Sequence, residues 1–328
     1  MYPFTHVNAY TIDEAETLLK VGNAAVIAGG TDLLTVMKGM CIPNPPEILV
    51  NIKTINGLDG INVDSDGTLR IGALATLSKI ASSSVVNDGW KVLAQAAFKA
   101  ASPELRNMGT IGGNICQKPR CIYFRKEYSV FNCLRKKDGL NECYAANGLH
   151  RYHSIFGASA GCYAICPSDT APALVALGAK IVTNLDTWEA KDFFYVGEKD
   201  DQINDIASNE IVKEIVIPPL AASAKSIYKK FAFRRAIDFP LVSVAVVANI
   251  SGGTASNASI VLGGVYNEPR RASTAEAAIN DKQITEGNAT AAGEAGVQNT
   301  QVNDLPQVKY KVQVAKTLIK RALLELVA

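Results

Sequence analysis

Apolar positions along the chain change period repeatedly. They move from the helical spacing of Ala15, Leu18 and Leu19 to short unbroken runs at 24–27 and 48–52. The spacing predicts a helix over 11–19 (TIDEAETLL), with Thr11 as N-cap and Glu14 three residues on. Residues 24–27 read as a strand running into Gly29, Gly30, Thr31 and Asp32, and a second helix starts at Leu33. Strands are expected at 48–52 and 69–71, with the turn NVDSDGT between them, and a largely helical stretch covers 80–101. Residues 109–114 (GTIGGN) form a second glycine-rich turn. Regular patterning resumes with a helix at 170–177 and strands at 179–183 and 211–217, the last stopped by Pro218 and Pro219. Further strands are expected at 228–233 and 242–250, and 259–262 alternates apolar and polar. A helix-rich tail is broken by a polar stretch at 273–304 and ends in a helix at 308–326. The break near 218–224 predicts two domains, 1–220 and 225–328, as a length of 328 residues allows.

Between Asn114 and Ser168 this periodicity disappears. Six of the seven cysteines (Cys116, Cys121, Cys133, Cys143, Cys162, Cys166) fall here. Residues 118–151 carry eight Lys or Arg (Lys118, Arg120, Arg125, Lys126, Arg135, Lys136, Lys137, Arg151) against three acids (Glu127, Asp138, Glu142). A long aperiodic loop is usually functional or disordered, and the aromatic residues and cysteines argue against disorder. A metal centre would replace the missing core. Composition places that reading in context: 48% hydrophobic and 20% charged residues describe a globular protein, and a net charge of +2 gives no reason to expect nucleic acid or a membrane surface. No apolar run reaches membrane-spanning length, and the N-terminus lacks the basic head and apolar core of a signal peptide. The expected location is the cytoplasm, where clustered cysteines read as metal or redox ligands before disulfides.

Two glycines at a strand-to-helix turn let N–H groups converge on a phosphate, with Thr31 and Asp32 adding a hydroxyl and a carboxylate. The bland reading is an ordinary turn. The two glycine segments could hold the two phosphates of a dinucleotide from opposite sides, and neither matches GxGxxG, which disfavours a Rossmann site.

Five motifs carry a resemblance: AGGTDLL (28–34), TIGGN (110–114), PSDTAPAL (167–174), DFPLVSVA (238–245) and LGGVYNEPRRA (262–272). In this order the chain resembles, over essentially its whole length, the FAD-binding subunits of the xanthine dehydrogenase family of molybdenum hydroxylases. The resemblance implies an α+β protein: a flavin domain of the vanillyl-alcohol oxidase (PCMH) type, then a smaller α+β domain characteristic of carbon monoxide dehydrogenase flavoproteins. The connection of about fifty residues from GGN to SD is longer than in most members. It resembles the insertion in the flavin subunits of 4-hydroxybenzoyl-CoA reductase and certain bacterial aldehyde oxidoreductases, where four cysteines hold a [4Fe-4S] cluster. By motif, the matching ligands are Cys121, Cys133, Cys143 and Cys162, within an insertion at about 117–163. A structural zinc site is the alternative, although zinc favours close cysteine pairs and these four are separated by eleven, nine and eighteen residues. Cys41, Cys116 and Cys166 are read as packed thiols, and His150 and His153 as exposed loop histidines.

For FAD, the resemblance assigns pyrophosphate contacts to Val26, Ile27, Ala28, Gly29, Gly30, Thr31, Asp32 and Leu33, and to Thr110, Ile111, Gly112, Gly113 and Asn114. It gives Asp169 to the ribityl or ribose hydroxyls, Lys230 to the isoalloxazine or phosphate, and Ala100 a backbone contact. Asp169 is alternatively the N-cap of the helix at Thr170. Arg234, Arg235 and Asp238 fall on a loop beside the flavin ring, or form a surface ion pair. No catalytic residue is expected in this chain. The implied role is electron transfer between [2Fe-2S] clusters of a small subunit, FAD, the [4Fe-4S] cluster and an external acceptor or donor (NAD, ferredoxin or quinone). The implied assembly is a heterotrimer, or its dimer, with a large molybdenum-cofactor subunit. A stand-alone FAD oxidoreductase with a structural zinc loop is the alternative.

Overall fold

The computed structural model describes residues 1–136, 142–194, 206–234, 236–302 and 305–328, so Lys137, Asp138, Arg235 and Asp304 lie outside the described residues. The chain opens with β1 (Thr5–Asn8), α1 (Ile12–Leu19), β2 (Ala24–Ile27), α2 (Leu33–Lys38) and β3 (Ile48–Asn51). The strands pair in parallel in the order β1-β3-β2, so α1 and α2 are their crossovers. Thr11 caps α1 as expected: the Glu14 N–H donates to its Oγ1 at 3.1 Å, and the Tyr10 N–H donates to Glu14 Oε2 at 2.8 Å.

β4 (Ile61–Val63) and β5 (Leu69–Gly72) begin a second sheet. The stretch expected to be largely helical over 80–101 is so, divided into α3 (Leu77–Ser82), α4 (Ser84–Gly89) and α5 (Lys91–Lys99). Ser83 causes the first break, because it leaves the helical region and its Oγ caps Val86 N–H. α6 (Pro103–Met108) follows, and the GTIGGN segment is not an open turn: it forms the short helix α7 (Ile111–Ile115), capped by Thr110. The long connection beyond it holds α8 (Tyr144–Asn147) and leads to α9 (Thr170–Ala176). β6 (Lys180–Thr183), β7 (Thr187–Glu189), α10 (Ala190–Phe193) and β8 (Val212–Ile217) complete the antiparallel order β4-β5-β8-β6-β7. Leu69, Ile71, Ile215 and Ile217 from this sheet pack with Leu93 and Ala97 of α5 and Leu174 of α9 in the main core.

The remaining strands, β9 (Ala224–Phe231), β10 (Val242–Ser251), β11 (Thr254–Gly263) and β12 (Arg270–Arg271), form an antiparallel meander. The polar stretch at 273–304 contains α11 (Ser273–Ile279), β13 (Lys282–Gln283) and α12 (Glu286–Ala295), before α13 (Lys309–Leu326). Its helices bury small residues, Ala275, Ala289 and Ala292, which a hydropathy pattern underweights. β10 is apolar on both faces because both are covered. Ala245 and Val247 face the core of α5 and α9, while Val244 and Val246 join Ala315 and Ile319 of α13. A Cβ on Gly263 would lie 2.4 Å from Ser243 Oγ and 3.0 Å from Pro172 of α9, so this glycine lets the third sheet seat closely.

Lys311, on α13, is completely buried and donates to the carbonyls of His153 (2.7 Å) and Gly264 (2.6 Å). Burial lowers its pKa to about 7. The unfolded chain therefore holds more protons than the folded one from about pH 7 up to the ordinary lysine value, and stability rises with pH over that window. Thermal midpoints from pH 6 to pH 9 should show wild type gaining on Lys311→Met as pH rises. Parallel curves would mean that the two carbonyls keep the ammonium charged.

Candidate functional site

The turn from β2 to α2 forms one wall of a cleft of about 1100 Å³; α7, the start of α9 and residues 206–212 supply others. Gly29 permits the closest approach in it, since a Cβ there would lie 2.0 Å from the Met108 carbonyl oxygen. Gly30 has φ +68°, a conformation open to glycine. Among the described residues, the backbone N–H groups of Gly29, Gly30, Thr31, Asp32 and Leu33 have no hydrogen-bond partner, so the turn offers a row of free donors to an anion.

The second glycine segment behaves differently. Ile111 N–H donates to Ala75 O, Gly112 N–H to Ala73 O, Gly113 N–H to Thr110 Oγ1 and Asn114 N–H to Thr110 O. These four donors are spent within the protein, while Thr110, Gly112, Gly113 and Asn114 all line the cleft, so the segment meets it as a close-fitting wall. Ile111 is core. Asn114 closes the base of the long connection: its Oδ1 accepts the hydroxyls of Ser168 (2.6 Å) and Thr170 (2.7 Å).

Of the other expected residues, Val26, Ile27, Ala28 and Ala100 line the cleft. The Ala100 carbonyl accepts from Arg106 Nη1 at 2.9 Å and its N–H donates to Ala97, so both backbone groups are engaged. Asp169 lines the cleft, whereas Lys230 does not. Lys230 lies behind Asp169, 2.8 Å from Oδ2, and the Tyr228 hydroxyl donates to Oδ1 at 2.6 Å. Burial raises the Asp169 pKa, with Lys230 opposing it, and lifts Tyr228 well above its ordinary range. Asp169 occupies the N-cap position of α9 without capping it; Ser168 Oγ takes the Ala171 N–H at 3.1 Å. Arg234 and Asp238 form an exposed ion pair at 2.5 Å.

Asp32 lines the cleft as well, and its carboxylate is held from the long connection. It accepts from Lys118 N–H (2.7 Å) and Arg125 Nη2 (2.8 Å) and forms an ion pair with Arg120 Nη2 (2.7 Å), all in that connection. Arg120 also stacks over Phe239 at 4.6 Å and lines the cleft, and burial lowers its pKa to about 10 with Asp32 opposing. No motif pointed to these arginines. The available signal was the basic run beside Cys121.

Cys121, Cys133, Cys143 and Cys162 line one small pocket with Phe124, Tyr144 and Ala164. Among the described residues no group of three or more His, Cys, Asp or Glu is arranged to hold a metal ion. Burial pushes the Cys121 thiol up to about 12 and raises Cys133. Cys143 is raised because it donates to Cys162, whose pKa falls for the same reason, with Arg135 helping. Lys136 is buried, donates to Lys126 O at 2.9 Å and feels Cys133, Cys41 and Cys121. His150 and His153, expected to be exposed, are buried at 5% and 2% exposure. Gln307 N–H donates to His150 Nε2 at 3.3 Å, and His153 Nε2 lies 3.2 Å from Cys121 Sγ; these polar partners make burial tolerable. Cys41 and Cys166 are packed thiols, while Cys116 is partly exposed on the cleft. The described residues contain no helix long and apolar enough to cross a membrane.

Residues 2–220 match the family model for the FAD binding domain in molybdopterin dehydrogenase, and residues 226–326 that for the CO dehydrogenase flavoprotein C-terminal domain. The aldehyde oxidoreductase FAD-binding subunit PaoB of Escherichia coli (strain K12) is 33% identical over 287 residues, covering 85% of this chain and 87% of that one. The carbon monoxide dehydrogenase medium chain of Hydrogenophaga pseudoflava is 28% identical over 321 residues, 95% and 93% of the two chains. A solved structure of carbon monoxide dehydrogenase from Hydrogenophaga pseudoflava, lacking the Mo-pyranopterin moiety, matches with a TM-score of 0.76 at 27% identity, covering 99% of this chain and 98% of that one.

A methyl group at Gly29 must displace the Met108 carbonyl and deform the turn. Gly29→Ala is therefore expected to weaken FAD binding about tenfold, the equivalent of about 1.4 kcal/mol, and to lower the FAD content of the purified protein. Gly89→Ala, which meets nothing within 4 Å, should retain it. Equal flavin in both would remove this turn from the binding site.

Proposed function

The chain belongs to the FAD-binding subunits of the molybdenum hydroxylase family, and we propose that within that role it relays electrons for a complex whose substrate is bound by another polypeptide. The partners in this reading are a large molybdenum-cofactor subunit and a small subunit with [2Fe-2S] clusters. The relay joins those clusters to FAD, to a [4Fe-4S] cluster in this chain, and to an external acceptor or donor such as NAD, ferredoxin or a quinone. The assembly is a heterotrimer or its dimer. Seven free cysteines suit a reducing compartment such as the cytoplasm.

One observation carries the reading. Along the extended segment after α7, Lys118 and Arg120 line the cleft, whereas Pro119 and Cys121 line the four-cysteine pocket. Two candidate redox sites thus share one strand of backbone as a wall. When bound, the flavin supplies storage of an electron pair and the cluster supplies single-electron transfer. The protein residues bind and tune. The free N–H groups of Gly29 to Leu33 offer donors to a pyrophosphate, and Asp169, backed by Lys230 and Tyr228, presents a buried carboxylate at the cleft wall. Cys121, Cys133, Cys143 and Cys162 supply four thiolates, with Lys136 and Arg135 as positive charge beside them. The donor set fits an iron–sulfur cubane. A cubane takes its four cysteines around four irons, and the four thiols here line one pocket.

The test is an anaerobic visible spectrum with iron and acid-labile sulfide analysis on the complex and on Cys133→Ser. Flavin bands over a broad iron–sulfur absorption are expected, with the variant losing about four irons per subunit. Unchanged iron, or zinc in its place, would refute the cluster; loss of iron with flavin retained would separate the two sites.

A further inference from the structure

We propose that residues 117–136 of the long connection act as a clasp on α2, with Arg120 and Arg125 as positioning residues that hold Asp32, and through it the turn at 29–33, in shape for FAD. The inference rests on the reading of the cleft as the flavin site, and it assigns Asp32, which itself lines that cleft, to holding the turn rather than to meeting the cofactor.

Three sets of contacts carry it. At the start of α2, the Asp32 carboxylate faces three donors from the connection, at 2.7, 2.7 and 2.8 Å, and its side chain is only 15% exposed. Along the helix, Val36 packs with Phe124 and Cys133. Past its end, Tyr128 N–H donates to Met40 O at 3.0 Å and the Cys41 thiol donates to Arg125 O at 3.3 Å. Arg125 is itself fixed, since Nε donates to Pro119 O at 2.6 Å and Nη2 also to Lys118 O at 2.8 Å. A helix of six residues between two glycine-containing turns has little stiffness of its own. The connection therefore supplies the rigidity that keeps the five N–H groups of the turn aligned.

Because coupling is reciprocal, FAD must in turn hold the connection in place. The test is FAD titration of the deflavinated complex carrying Asp32→Asn, Arg125→Gln or both, with amide exchange measured at Tyr128. Each single variant is expected to weaken FAD about tenfold, and the double variant no more than the worse single, because all act through one contact. In wild type, FAD should slow exchange at Tyr128, and in Asp32→Asn it should not. If Arg125→Gln fails to fold, Arg120→Gln, which meets the same oxygen of Asp32, carries the same expectation. Weakening by Asp32→Asn with both arginine variants silent would return Asp32 to direct flavin contact and overturn the clasp. So would additive losses, or exchange at Tyr128 indifferent to FAD. A wild-type complex that binds no FAD would instead refute the flavin reading itself.

Discussion

A carboxylate taken out of water must find donors, and in this protein Asp32 finds all of its described donors in one segment. That requirement joins a parallel βαβ turn to the part that departs most from regular structure. Residues 117–136 have only a small core, Phe124 and Cys133 packed with Val36, Cys41 and Ile42. They are anchored at Asp32, folded over Val36 and tied off at Met40.

The two ends of this segment are brought together by a second polar device. Asn114 accepts two hydroxyls from Ser168 and Thr170, so a connection of more than fifty residues begins and ends at one point. Closing a long loop costs entropy that grows only slowly with length, which makes such an excursion affordable once its base is pinned. The C-terminal sheet contributes from behind. β9 sends Tyr228 and Lys230 to Asp169, and its backbone is held to α5 through Gln95 at 2.8 Å, so the far domain sets the electrostatics of a cleft it does not line with these groups.

Much of this was legible in the chain. Strands with unbroken apolar runs, the Thr11 cap and the glycine pair at 29–30 are local signals, and local chemistry decided them. The breaks at Ser83 and Trp90 were missed because buried apolar positions (Ile80, Val86, Trp90, Leu93) recur across them while the capping geometry does not continue. GTIGGN read as a turn because glycine is a poor helix former, yet Thr110 caps it and Ala73 and Ala75 take its N–H groups across the sheet. Partners distant in sequence also decided the fate of His150, His153, Asp32 and Lys230. A charged or polar side chain announces that it needs a partner and gives no indication of where that partner lies.

Arg120 and Arg125 have a consequence for how this architecture can vary. Cutting out the cysteine-bearing connection would leave Asp32 facing a space from which all three of its described donors had gone. In this chain the connection and the acid that opens α2 therefore behave as one unit. Without the connection that carboxylate would be left to water, to a ligand in the cleft or to another segment.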